Sequence, residues 1–139
     1  MVSFPQAGAG QDSVERAVVS VVQELFGWVH VDDEYSLVPD YGQWGVGGGW
    51  FAEGEEKEGG FAVSAGAGYK MAGKGDRKVA DLDICVYDSV GREVGCDELA
   101  DAIPLVTFTA SRSGTYRAVL TAYSLESFTA YAGMILLRR

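Results

Sequence analysis

The stretch Ala80-Asp81-Leu82-Asp83-Ile84-Cys85-Val86-Tyr87-Asp88, continued by Ser89-Val90-Gly91-Arg92 and Glu93-Val94-Gly95-Cys96-Asp97, decides the fold. Leu82, Ile84 and Val86 alternate with Asp83, Cys85 and Tyr87, the two-residue period of an extended chain with one apolar and one mixed face. Ser89 to Arg92 carries a glycine and breaks the alternation, and the chain then turns back. The pair reads as a β-hairpin within an antiparallel sheet. A turn centred between Val90 and Gly91 sets Cys85 directly opposite Cys96. Opposed strand residues hold their Cβ atoms about 4.5 to 5.5 Å apart, slightly long for a disulfide. A one-residue bulge beside Gly91 would shift this register, so a disulfide and two free thiols, Cys85 substantially buried, both remain open. A disulfide would imply an oxidising compartment.

Outward from the hairpin the punctuation is regular. Phe61 to Ala65, Gly68 to Ala72, Val79 to Asp88, Glu93 to Asp97, Leu105 to Ala110, Thr115 to Tyr123 and Phe128 to Leu137 read as short strands, separated by glycine, serine and aspartate clusters. Closely spaced strands of this kind describe a sandwich or barrel and not alternating strand-helix units. The 19 glycines, roughly twice the usual share of about 7%, agree with many turns.

Towards the N-terminus the period changes. Residues 1–11 lack periodicity and read as a flexible arm, while Asp12 with Glu15 has capping-box spacing. Val14, Ala17, Val18, Val21, Val22, Leu25 and Phe26 recur at three- and four-residue intervals, and Gly27 is a natural stop. The expectation is a helix over 12–27 packing its valine stripe on a sheet, inside a single domain spanning 12–139. Trp28 to Trp50 is aromatic and rich in glycine, and reads as one or two irregular strands joined by loops. Glu53 to Gly60 reads as a solvated hairpin connection.

The run from Asp81 to Val94, the later Pro104-Leu105-Val106-Thr107-Phe108-Thr109-Ala110, and then Ser111-Arg112-Ser113-Gly114-Thr115-Tyr116-Arg117-Ala118-Val119-Leu120 resemble the bacterial pre-peptidase C-terminal domain. The earlier Ala65 to Met71 suits the same pattern, and the resemblance covers roughly residues 61–137, without the helix or the aromatic segment. What it implies is a small β-sandwich, non-catalytic and extracellular or periplasmic, that assists secretion, substrate attachment or assembly and binds calcium in some members.

The residue chemistry narrows the function classes. The net charge is −9, and no basic stripe runs along the chain, which removes the electrostatic footprint of a nucleic-acid binder. No run approaches the roughly 20 apolar residues of a membrane-spanning helix, and no basic region followed by an apolar core marks an export signal. His30 is the single histidine and no Gly-x-Ser-x-Gly elbow accompanies it, so a catalytic set is not legible. One histidine and two cysteines fall short of a zinc site. Asp81, Asp83, Asp97, Glu98 and Asp101 are hard oxygen donors near the ends of neighbouring strands and are the calcium candidates, although acids at strand ends also serve as edge protection and turn caps. Tyr41, Trp44, Trp50 and Phe51, interleaved with glycine, are the ligand-stacking candidates, with closure of one end of a sandwich core as the plain alternative.

The sequence therefore predicts an all-β antiparallel sandwich, jelly-roll-like, of about eight strands with one N-terminal helix. Its expected role is that of an exported, non-enzymatic module recognising a protein or carbohydrate surface, with calcium as the one cofactor open to it. A self-associating structural subunit is the first alternative, and a calcium-stabilised accessory domain of a secreted hydrolase system is the second.

Overall fold

The computed structural model describes residues 9–31, 35–37 and 46–139, with side chains at 15–28, 35 and 47–139. Helix α1 runs over Ala9–Val31. The strands are β1 (Ser36–Leu37), β2 (Val46–Ala52), β3 (Glu56–Val63), β4 (Gly68–Gly75), β5 (Val79–Tyr87), β6 (Glu93–Asp97), β7 (Leu105–Thr109), β8 (Gly114–Leu125) and β9 (Thr129–Arg138). All seven strands expected after Gly60 are present, with ends shifted by a few residues.

Two antiparallel sheets form. One has the order β1/β2-β9-β4-β7, with β1 and β2 end to end along β9, and the other has the order β3-β8-β5-β6. Apart from the β5–β6 hairpin, each successive connection from β2 onward crosses from one sheet to the other. That alternation is the jelly-roll arrangement. Strand period 2 sends Phe61, Tyr69, Met71, Leu82, Ile84, Val86, Val106, Phe108, Tyr116, Leu120 and Leu136 into one core between the sheets. Phe108 stacks between Tyr69 and Tyr116, with ring centroids 5.4 and 5.8 Å away.

The hairpin closes as its sequence dictates. Gly91 adopts φ 85°, a left-handed position that glycine occupies without a Cβ penalty. Asp88 Oδ1 accepts hydrogen bonds from the Val90 and Arg92 N–H groups, at 3.0 and 2.9 Å. A register shift falls at Tyr87, one pair beyond the cysteines towards the turn side of Val86. Cys85 and Cys96 therefore stay opposed, with Cα atoms 4.1 Å apart, and are joined as a disulfide.

Helix α1 lies on the outer face of the first sheet. Val21 and Leu25 are fully buried against Ile135, Leu137, Ala72 and Tyr35, with Trp28 and Tyr131 packed at the margin. The helix is longer than the expected 12–27 at both ends, so Asp12 lies inside it and does not cap it. Gly27 does not stop it: a mid-helix glycine costs about 1 kcal/mol, which the packing of Trp28 one residue later offsets. Phe26, assigned to the buried stripe, is exposed, because the face in contact is the one carrying Val21, Leu25 and Trp28.

One further expectation gives way. Glu56 to Gly60 is strand and not connection: it pairs with β8 from Thr121 to Arg117, and its exposed charges protect an edge. The Gly47-Gly48-Gly49 run, too glycine-rich to assign as strand from sequence, pairs in register with Met134, Gly133 and Ala132 of β9. At Gly48 and Gly133 glycine permits a close approach. A Cβ at Gly48 would stand 2.5 Å from the Tyr131 hydroxyl, and one at Gly133 would meet Leu25 at 3.1 Å.

Candidate functional site at one end of the sandwich

Four connections emerge side by side at one end: Glu53–Glu55 between β2 and β3, Glu126–Phe128 between β8 and β9, Asp76–Lys78 between β4 and β5, and Glu98–Pro104 between β6 and β7. Hydrogen bonds tie them to neighbouring strands and, at one point, to each other. The Gly54 N–H donates to the Ala122 carbonyl, and the Leu125 N–H to Glu53 Oε1 at 3.0 Å. Glu126 N–H donates to the Lys78 carbonyl, Leu82 N–H to the Asp101 carbonyl, and Gly73 N–H to the Pro104 carbonyl. Loops tied this way form one surface with a defined shape.

Acids build this surface from within. Asp76 is buried, receiving the Lys78 N–H on Oδ1 at 2.7 Å and the Tyr131 N–H on Oδ2 at 2.9 Å, so the β4–β5 turn is anchored to β9. Asp97 accepts from Leu99 and Leu105 N–H groups, and Asp101 from Ile103 N–H, which sets the course of the β6–β7 connection. These are turn caps in the sense that aspartate side chains commonly serve. Between and beside the caps, large apolar side chains stand in solvent. Phe128 is 92% exposed, Leu99 68% and Tyr123 65%, with Ile103 and Leu105 also exposed.

The five calcium candidates divide into two roles. Asp97 and Asp101 spend carboxylate oxygens on backbone N–H groups. Asp81 and Asp83 lie two residues apart on the outer face of β5, with a register irregularity at Asp81. Oδ1 of each is out of water and accepts no hydrogen bond. Burial, a hydrogen bond shared with the Asp81 carboxyl, and the charges of Asp81, Glu98 and Asp97 push the Asp83 carboxyl up to about 6. Among the described residues, no three of the five bring carboxylate oxygens within 4.8 Å of one another. Cys85, Glu93 and Cys96 do converge that closely, but both sulfurs are consumed by the disulfide.

The stacking candidates do not form one platform. Tyr41 and Trp44 lie outside the described residues. Trp50 and Phe51 are neighbours on β2 and so point to opposite faces. Trp50 faces outward, edge-on to Tyr131 at 5.3 Å, whereas Phe51 is buried between the sheets. His30 falls in the last turn of α1, and its side chain lies outside the described residues. The residues that sequence reasoning passed over are Phe128 and Leu99. Their signal was an apolar side chain inside a polar connection, Ser124-Leu125-Glu126-Ser127-Phe128-Thr129 and Asp97-Glu98-Leu99-Ala100-Asp101.

No protein-family model and no curated protein matches the chain. Among solved structures the fold has a counterpart. The pre-peptidase C-terminal domain of a collagenase from Bacillus anthracis superposes with a TM-score of 0.54 at 10% identity, over 66% of this chain and 86% of that one. PliG of Aeromonas hydrophila, a periplasmic lysozyme inhibitor of g-type lysozyme, gives 0.48 at 12% identity, over 68% and 84%. The fold expected from the Asp81 to Leu120 motifs is thus the fold found.

Proposed function

We propose that this chain is an exported, non-catalytic protein-recognition module that holds a basic partner surface at the loop end of its sandwich. The observation that carries the reading is Phe128, almost wholly in solvent at the tip of the β8–β9 turn, on a surface whose four connections carry Glu53, Glu55, Glu98, Asp101 and Glu126 against Arg77 and Lys78. An aromatic side chain held by ordered loops on a surface where acids outnumber bases suits an anchor that a partner buries, with the net charge steering the approach. The Cys85–Cys96 disulfide supports an oxidising compartment. No helix among the described residues is long and apolar enough to cross a membrane.

Catalysis is not part of the proposal. The carboxyl with the perturbed proton affinity, Asp83, sits on the outer face of β5, away from the gap between the sheets near Phe51, whose charged lining residues are Lys57 and Glu58. Acid-base chemistry needs such a group inside a cavity, next to a second reacting group.

The test is binding of cationic proteins to the immobilised module at low and moderate salt, alongside a panel of glycans. Retention should weaken as salt rises. Phe128→Ser should cost about 2 kcal/mol of binding, and Glu98→Lys with Glu126→Lys, two exposed acids that cap no turn, should reduce it further, with melting behaviour unchanged. Retention of glycans in place of basic proteins, or indifference to Phe128→Ser, would overturn the assignment of partner and of site.

A further inference from the structure

We propose that the gap between β2 and β3 is a binding site for a hydrocarbon chain carrying an anionic head group. β2 pairs only with β9 and β3 only with β8 among the described residues, so the two strands form the edges of the two sheets on the same side of the sandwich. Between them lies a cavity of about 360 Å³, within the range of small-ligand sites. Its walls are Phe51, Phe61, Met71, Leu120, Met134 and Leu136.

The cavity exists because glycines occupy inward positions. Phe51 and Phe61 are buried, so the two-residue period also turns Gly47 and Gly49 of β2, and Lys57 and Gly59 of β3, towards the gap. A Cβ at Gly47 would meet nothing within 4 Å, and one at Gly59 would meet only Met134 Cε at 3.7 Å. Larger residues would fit and would favour the strands, yet among the described residues no side chain fills the space.

The wall chemistry selects the occupant. No side chain in the apolar walls can donate or accept a hydrogen bond, so the polar groups open to a ligand lie along the glycine-bearing strand edges and at the Lys57 and Glu58 rim, and the space between Phe51, Phe61, Met71 and Leu136 suits methylene groups. Met71 and Met134 can adjust to the shape of a flexible chain. At the mouth the Lys57 stem lies along the wall, its Cδ 3.3 Å from the position a Gly49 Cβ would take, and its ammonium is 5.5 Å from the centre of the Phe51 ring. Glu58, the other charged residue at the rim, pairs with Arg117 at 3.1 Å. Lys57 meets Glu55 at 3.5 Å in a half-exposed pair, an interaction weak enough for a carboxylate or phosphate head to replace.

The experiment is calorimetric titration of the intact, disulfide-bonded protein with dodecanoate below its micelle concentration, with decanol as the uncharged comparison. One saturable site is expected for dodecanoate. Gly47→Leu, which fills the cavity from an unobstructed position, should weaken binding by about tenfold or more through loss of the buried methylene contacts. Gly59→Val provides the same block from the opposite strand if the first variant does not fold. Lys57→Met keeps the apolar stem and should weaken dodecanoate by about fivefold while leaving decanol unchanged. Absence of saturable dodecanoate binding, or undiminished binding by a folded cavity-filling variant, would overturn the proposal. Phe128→Ser should leave dodecanoate binding intact, so either result stands apart from recognition at the loop end.

Discussion

Asp83 is a carboxyl whose environment favours its neutral form. In the unfolded chain it ionises near 3.8, and in the folded protein burial and the neighbouring Asp81 carboxyl raise this to about 6. Across that window the folded state holds a proton that the unfolded state has released, so stability falls as pH rises from about 4 to about 6 and changes no further through this group above it. Asp83→Asn should remove this slope and melt above the parent at pH 7, as thermal denaturation at pH 4.5, 5.5 and 7 would record. Identical pH slopes in parent and variant would mean that Asp83 is solvated. The acidity of this region was legible in the sequence, but the raised proton affinity of Asp83 was not. Residues two apart on a strand share a face, but the loss of water at their Oδ1 atoms depends on packing around β5 that local patterns do not encode. The opposite lapse concerns Trp50 and Phe51. Their divergence follows from the strand period alone, and grouping them as one platform overlooked it.

At the level of elements, α1 tests whether the helix belongs to the fold or merely accompanies it. Val21 is fully buried, and Val21→Asp would place an unpaired carboxylate between the helix and β9. The cost should be about 3 kcal/mol or more, measured as a lower denaturant midpoint. An unchanged midpoint would show that the helix detaches freely. The apolar stripe announced this helix because 3.6-residue periodicity is a local signal, and the strands after Gly60 were readable for the same reason. β2 was not. A strand of three glycines carries no alternation of its own; what makes it a strand is the ladder to β9, a partner remote in sequence, and the room those glycines leave for Tyr131.

For the whole molecule, the disulfide joins β5 and β6, strands already paired, across a sequence separation of 11. Replacing both cysteines with serine should therefore cost only about 2 to 3 kcal/mol and leave a folded, less stable protein. Loss of cooperative unfolding in that variant would reveal a larger role. The sandwich was visible in the spacing of strands, whereas the gathering of four connections at one end depends on which strands alternate between sheets, a property of topology that local patterns do not encode. That topology also sets an orientation. β9 begins at the acidic end and runs the length of the barrel-like body, and the Arg139 N–H is fastened to the Gly68 carbonyl at the far end. A carrier, surface or neighbouring domain joined through Arg139 would hold the module like a lamp on its stalk, with Phe128 and the acidic loops facing away from the point of attachment.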